Sequence, residues 1–263
     1  MLNVSAITLW GAGSVILALL GLFVAKKTIK PIDLDLNGDL LLAMVTIVGT
    51  LVSVLLGLLV SSSVDQYRFM ESSVDAEAAS IGAVFRLARG TPDKTRTVLQ
   101  SLCIDYCDQV VSDEWPAMKQ GHMSNRVSAI YAKLNDAIVT FRPADAGEAI
   151  VEQALVTATS KLGEHRRERI VAMNSTWTIR LLPLLLMCVV IVLLISYMYL
   201  RTGKSVLHAV LVSFVAIALG TNVGIIFLMS RPFTSDWSIE PEGFAVNAQM
   251  MRECKDTPLL NTR

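Results

Sequence analysis

Leu40 to Ser61 is continuously apolar and, at about 1.5 Å per residue, long enough to cross a hydrocarbon layer about 30 Å thick. The pattern then turns polar without a helix breaker: Ser61, Ser62, Ser63, Asp65, Gln66, Arg68, Glu71, Ser72, Ser73, Asp75 and Glu77 follow, with no Pro or Gly between Gly57 and Gly82. This predicts one helix from Asp39 to Gly90 that leaves the bilayer near Ser61 and stops at its terminal glycine. Along it Gly49, Ser53, Gly57, Ser61 and Asp65 recur every four residues, which stacks them on one side. Such a stripe lets helices approach closely, or it lines a wet path.

Three further apolar runs fit membrane spans. Ala6–Ala25 has no charged residue ahead of it and is followed directly by Lys26 and Lys27, which suits an anchor better than a cleaved signal peptide. Lys26 to Asp39, with Pro31 and Gly38, is the connecting loop. Arg180–Leu200 carries Pro183 near its start and Tyr197 and Tyr199 where an interfacial aromatic belt would lie. Only Arg201 to Lys204 separates it from Val206–Met229, which predicts an antiparallel hairpin. Asn222 in the last run should face protein, through an interhelical hydrogen bond or as an ion ligand.

Residues 63–178 form the one sizeable polar region. Thr91-Pro92-Asp93 reads as a helix start, with Val98, Leu99, Leu102, Cys103, Tyr106 and Val110 as the apolar face and an end before Trp115-Pro116. Gly121-His122 is a break. Ser124 or Asn125 caps a second helix with Val127, Ile130, Tyr131, Leu134, Ile138 and Phe141 inward, closed by Arg142-Pro143. A third helix starts near Asp145 and runs through Ile150, Ala154, Leu155, Ala158 and Leu162 into the basic run His165-Arg166-Arg167-Glu168-Arg169. That run could contact lipid phosphates or an acidic partner, or serve as an interfacial anchor. No useful strand-like alternation occurs.

The expected fold is therefore all-α: an integral membrane protein of four transmembrane helices with a helical soluble domain inserted between the second and third. Residues 1–62 hold the first two spans, 63–178 the extramembrane domain continuous with the second, 179–229 the hairpin, and 230–263 a tail folding back near the membrane surface.

Composition supports this and excludes other classes. The 263 residues are 53% hydrophobic and 17% charged, too apolar for an ordinary soluble domain. Net charge is zero, so no bulk electrostatic pull toward nucleic acid or anionic lipid is implied. Cys103, Cys107, Cys188 and Cys254 lack zinc-site spacing and read as buried free thiols. No nucleophile elbow or phosphate loop is present, so no enzyme activity is expected, and no cofactor or metal is implied. His122, in a Gly-flanked turn, reads as a surface residue. Lys26, Lys27, Lys30, Arg201 and Lys204 on one side nearly match Arg68, Arg166, Arg167, Arg169, Arg180 and Arg231 on the other, so the positive-inside rule does not decide orientation. The thiols favour a cytoplasmic middle region, with both termini on the same side.

Several strings resemble the bacterial bestrophin-like membrane family: Glu77-Ala-Ala-Ser-Ile-Gly82 with Arg86, Tyr106, Glu114-Trp115-Pro116 with Gly121, Arg166-Arg167-Glu168-Arg169, Arg231-Pro232-Phe233, and Pro241 with Phe244. The resemblance covers roughly residues 40–250. Ala79 stands where the family usually has Asn, and Ser230 and Thr234 replace an acidic residue and a Gly. The resemblance implies a multi-pass protein of the bacterial inner membrane. Bestrophins themselves are anion channels, ring-shaped homo-oligomers whose second membrane helix lines the pore. On that basis the pore-lining candidates are Thr46, Thr50, Ser53, Gly57 and Ser61, with Asp65, Arg68, Glu71, Asp75 and Glu77 at the mouth. The partners expected are the lipid bilayer, further copies of the chain and inorganic ions. A non-conducting scaffold or sensor whose helical middle binds a partner is the alternative.

Overall fold

The structure, a computed structural model, describes residues 4–28, 38–173, 177–198 and 205–256. Its helices are α1 (Val4–Thr28), α2 (Gly38–Leu87), α3 (Asp93–Gln109), α4 (Trp115–Lys119), α5 (Asn125–Val139), α6 (Ala146–Met173), α7 (Trp177–Met198), α8 (Ser205–Met229) and α9 (Glu242–Asp256). No strand occurs among the described residues. The expected loop around Pro31, the turn Arg201–Lys204 and Tyr199 lie outside them.

The 50 residues of α2 run unbroken through the serine triplet, a rod of about 75 Å at about 1.5 Å per residue. A 3₁₀ turn, Ala88–Gly90, ends it. Among the described residues three helices are long and apolar enough to cross a membrane, over Ser5–Thr28, Ala43–Gly90 and Val206–Met229; α7 contributes a shorter apolar stretch, Leu182–Tyr197. The chain divides into two compact units, and the division falls within α2 between Tyr67 and Arg68.

The first unit holds α1, the apolar half of α2, α7 and α8. α1 and α8 approach closely because Gly220 and Gly224 present no side chain where Ser14 and Trp10 sit, the small-residue packing used between helices in lipid. Ser14 Oγ donates across this seam to Ala216 O at 2.8 Å. Tyr197 does not sit in an aromatic belt. It is buried, and its hydroxyl donates to Ala18 O at 2.7 Å, because a phenol beside an open carbonyl is better satisfied there. Val52 and Leu56 of α2 pack with Leu185 of α7 and with Val223 and Ile226 of α8.

The second unit holds the polar half of α2, α3 to α6 and α9. Leu99, Cys103 and Tyr106 of α3, with Val110 just after it, are fully buried while Val98 is exposed, so the inward face is centred one residue later than Val98. Leu134, Ile138, Leu155, Leu162, Ile81 and Phe244 complete the core, each such side chain contributing about 1.5–3 kcal/mol. Ser124 caps α5 by accepting from Arg126 N and Val127 N. At the start of α6, Asp145 Oδ1 accepts from Glu148 N at 2.8 Å, and Glu148 Oε2 from Ala144 N at 2.8 Å, the reciprocal pattern of a capping box.

One local reading changes. The chain does not leave the helix before Trp115-Pro116; a π-helical turn, Val110–Glu114, leads directly into α4. The wider turn leaves room where a proline ring would clash with the carbonyl four residues back. The tail carries a helix of its own. Its α9 packs on α2, with Asn247 Nδ2 donating to Ala78 O at 2.6 Å and Gly243 over Ala78.

Candidate functional site: a buried charge cluster and an open helix face

The second unit encloses four charged side chains. α2 delivers Glu77, the π-helical turn delivers Glu114, and α6 delivers Arg166 and Arg169 from adjacent turns of one face. Arg169 Nε donates to Glu77 Oε2 at 2.7 Å, and Nη2 to Glu77 Oε1 at 2.9 Å and to Glu114 Oε2 at 2.8 Å. Arg166 Nη2 donates to the other oxygen of Glu114 at 2.8 Å and to Ser128 Oγ at 3.0 Å. Tyr106 Oη donates to Glu77 Oε1 at 2.6 Å. Glu77, Glu114 and Arg169 are fully buried. Two carboxylates face two guanidiniums, the pairing that charged groups need away from water.

Aromatic rings roof the cluster. The Arg169 guanidinium lies 5.2 Å from the Trp115 ring. Trp115 meets Phe233 edge-on at 5.8 Å and Phe244 at 6.1 Å, and its Nε1 donates to Ile239 O at 2.9 Å. Burial alone would push the Arg169 guanidinium down, yet the Glu77 carboxylate, with Glu114, holds it above its ordinary value. Burial pushes the Tyr106 phenol well up, and the Glu77 charge pushes it further. Burial also raises the thiols: Cys103 well above its ordinary value, Cys107 to about 12. The cluster is a charge-paired lock between α2 and α6.

The basic run therefore does not face lipid as a whole. Arg166 and Arg169 are buried and paired, because the spacing Leu155, Ala158, Leu162, Arg166, Arg169 keeps them on the core face of α6. Only Arg167 is exposed. His165 and Glu168 meet α2 at Ser73, whose Oγ donates to Glu168 Oε2 at 2.6 Å, with His165 Nδ1 3.2 Å from the same oxygen. That hydroxyl is the main reason the Glu168 carboxyl is held below its usual range.

The open face of α2 is the second feature. Thr46, Thr50, Ser53, Gly57 and Ser61 are all exposed, as are Asp65, Arg68, Glu71 and Asp75. Thr50 Oγ1 donates back to Thr46 O at 2.7 Å, so its hydrogen is satisfied within the helix. Val54 and Leu58 are 59% and 65% exposed beside them. Glu77 stands apart from the other mouth candidates: it points into the second unit and belongs to the cluster. Asn222 Nδ2 donates to Ala218 O one turn back at 2.7 Å, an intrahelical partner in place of an interhelical one. Cys254 is exposed, unlike the buried Cys103 and Cys107. His122 lies exposed in its turn. Among the described residues no group of His, Cys, Asp and Glu could hold a metal ion.

The strings Glu77–Gly82, Tyr106, Glu114-Trp115, Arg166–Arg169, Phe233 and Phe244 thus converge on one cluster. No curated protein and no solved structure matches the chain. A family model described as the bestrophin-like domain matches residues 12–244, which takes in both units and every residue of the cluster, and the chain belongs to the bestrophin-like family.

Proposed function

We propose that this membrane protein is a homo-oligomeric bestrophin-like channel whose pore is lined by α2. In this reading four helices span the inner membrane, residues 63–178 form a cytoplasmic helical domain between the second and third spans, and ions pass along Thr46, Thr50, Ser53, Gly57 and Ser61. Asp65, Arg68, Glu71 and Asp75 stand at the inner mouth, and anions are the cargo by family analogy.

The observation that carries this reading is the two-sided character of α2. Val52 and Leu56 are packed against α7 and α8, whereas the hydroxyl and glycine face is left uncovered by the protomer. Hydroxyls and backbone dipoles can replace part of an ion's hydration shell, and exposed Val54 and Leu58 can gate by dewetting. The buried cluster would then hold the polar half of α2 rigidly on its domain.

A second reading, a non-conducting scaffold, is favoured by a groove of about 730 Å³ between α2 and α6, lined by Ala79, Ser80, Ala83, Ile150 and Thr157 among others. Planar-bilayer recording of the purified protein separates the two. Channel activity predicts single-channel currents that Ser53→Trp abolishes. Silence across many ionic conditions, or currents indifferent to Ser53→Trp, would leave the scaffold.

A further inference from the structure

The first unit carries an open apolar groove of about 580 Å³ between α1, α7 and α8. Trp10, Gly13 and Leu17 form one wall, Leu186 and Leu193 the other, and Gly220 part of the floor. Leu17 and Leu186 are exposed. A side chain at Gly13 would enter open space, so the absence of a Cβ there helps keep the groove clear. The groove asks for no polar ligand atom: the Ser14 hydroxyl within it already donates to Ala216 O at 2.8 Å, with Gly11 O 2.7 Å away.

One end of the groove leads to a cation. The Trp10 ring lies 5.3 Å from Phe227, and the Arg231 guanidinium sits 4.5 Å over the Phe227 ring. Arg231 follows the end of α8 and is half-buried. Among the described residues no carboxylate pairs with it. An apolar channel whose Trp10 wall is joined through the Phe227 ring to a guanidinium with no carboxylate partner among the described residues matches one class of molecule in charge and polarity: an acyl chain attached to a phosphate.

We propose that the groove between α1, α7 and α8 binds an anionic phospholipid of the surrounding bilayer, its acyl chain along Trp10, Gly13 and Leu17 and its phosphate on Arg231. Guanidinium groups match phosphate geometry and charge, and the cation–π contact with Phe227 holds the group in place. The inference goes beyond the channel reading and does not need conduction: it requires only that the first unit be immersed in lipid. The competing account is that Arg231 merely offsets the carbonyl end of α8.

Trp10 supplies the probe. The full-length protein is placed in nanodiscs of phosphatidylcholine containing increasing amounts of phosphatidylglycerol, either lipid carrying brominated chains. The emission difference between wild type and Trp10→Phe then reports chain contact with Trp10. Expected is saturable quenching with about fivefold preference for phosphatidylglycerol, loss of that preference in Arg231→Gln, and loss of quenching by both lipids in Gly13→Phe. Equal quenching by the two lipids, or a preference that survives Arg231→Gln, overturns the proposal and leaves Arg231 as a helix-end charge. Disulfide-linked dimers through Leu17→Cys with Trp10 unquenched would mean that a second copy fills the groove, and would overturn it also. The Arg231→Gln arm decides by itself if Gly13→Phe fails to fold.

Discussion

Arg169 and Glu77 meet as a fork on a fork, Nε to Oε2 at 2.7 Å and Nη2 to Oε1 at 2.9 Å, both side chains fully buried and 92 residues apart in sequence. The pair joins the polar half of α2 to α6 inside the second unit. An isolated buried charge is expensive, whereas a matched pair is close to neutral relative to an apolar replacement. The arrangement therefore specifies which faces meet more than it adds stability.

Glu77→Ala leaves Arg169 with one carboxylate where it had two and opens a hole beside it. The expected loss is about 3–5 kcal/mol, read by denaturant unfolding of the protein in detergent. Replacing both partners, Glu77→Leu with Arg169→Met, should recover part of that loss, since Glu114 keeps Arg166 while the Tyr106 hydroxyl is left without its acceptor. A double substitution as damaging as Glu77→Ala alone would show that the charges are needed for more than each other.

Tyr106→Phe removes the hydroxyl that donates to Glu77 Oε1 at 2.6 Å while keeping the ring against Phe244 at 6.4 Å. A hydrogen bond to a charged acceptor contributes about 1.5–3 kcal/mol, and that is the loss expected. Because burial and the Glu77 charge hold the phenol protonated, ultraviolet titration of the folded protein near pH 11, roughly one unit above the ordinary tyrosine value, should show fewer ionising tyrosines than the unfolded chain. In Tyr106→Phe that shortfall should shrink by one.

The thiols carry a pH dependence in the alkaline direction. Cys107 is raised by burial from its ordinary 9.0 to about 12, so the fold favours its neutral form. Its contribution to stability is complete below pH 9.0 and is lost as pH rises toward 12. Unfolding midpoints should fall across that window, and less so in Cys107→Ala. At neutral pH a maleimide should label exposed Cys254 quickly and reach Cys103 and Cys107 only on unfolding.

The Ser73–Glu168 contact acts in the acid direction. The hydroxyl lowers the carboxyl from its ordinary 4.5, so the stabilisation is present above pH 4.5 and disappears as pH falls through the lowered value. Ser73→Ala should be less stable than wild type at pH 7, and the two stability curves should converge in acid. Curves that stay parallel would mean that the substitution acts through packing alone.

How much of this was legible in the sequence depends on the kind of residue. Apolar runs and periodicity located the long helices α1, α2, α3, α5, α6, α7 and α8 but not α9, and the missing breaker between Gly57 and Gly82 marked α2 as one rod. Read from the sequence, Glu77 belongs with the pore-mouth charges and Arg166 and Arg169 with a basic run at lipid or a partner, because a charge run is usually a solvated face; Glu114 enters only through the family resemblance. The signal that Glu77, Arg166 and Arg169 are buried was available: Leu162, Arg166 and Arg169 continue the spacing of Leu155 and Ala158, and Glu77 continues that of Met70 and Val74. A charged residue in phase with a core stripe implies a buried partner. Which partner it finds was not readable, since the pairing joins segments 92 residues apart and the π-helical turn that aims Glu114 has no distinctive composition.

Gly163 gives the sharpest test of packing in the second unit. A Cβ added there would overlap the hydroxyl end of Tyr131, whose ring also lies 6.0 Å from the Arg166 guanidinium. Alanine within a helix gains about 0.8–1.0 kcal/mol over glycine, but displacing a seated ring costs about 1–3 kcal/mol, so Gly163→Ala alone should be neutral to destabilising. In a Tyr131→Ala background the obstruction is gone, and the same change should stabilise by nearly the full helix-propensity gain. The double-mutant cycle in denaturant unfolding should therefore show a coupling of about 1 kcal/mol or more. A Gly163→Ala substitution that stabilises equally in both backgrounds would mean that Tyr131 is not held against α6, and with it the stacking that steadies Arg166 would have to be given up.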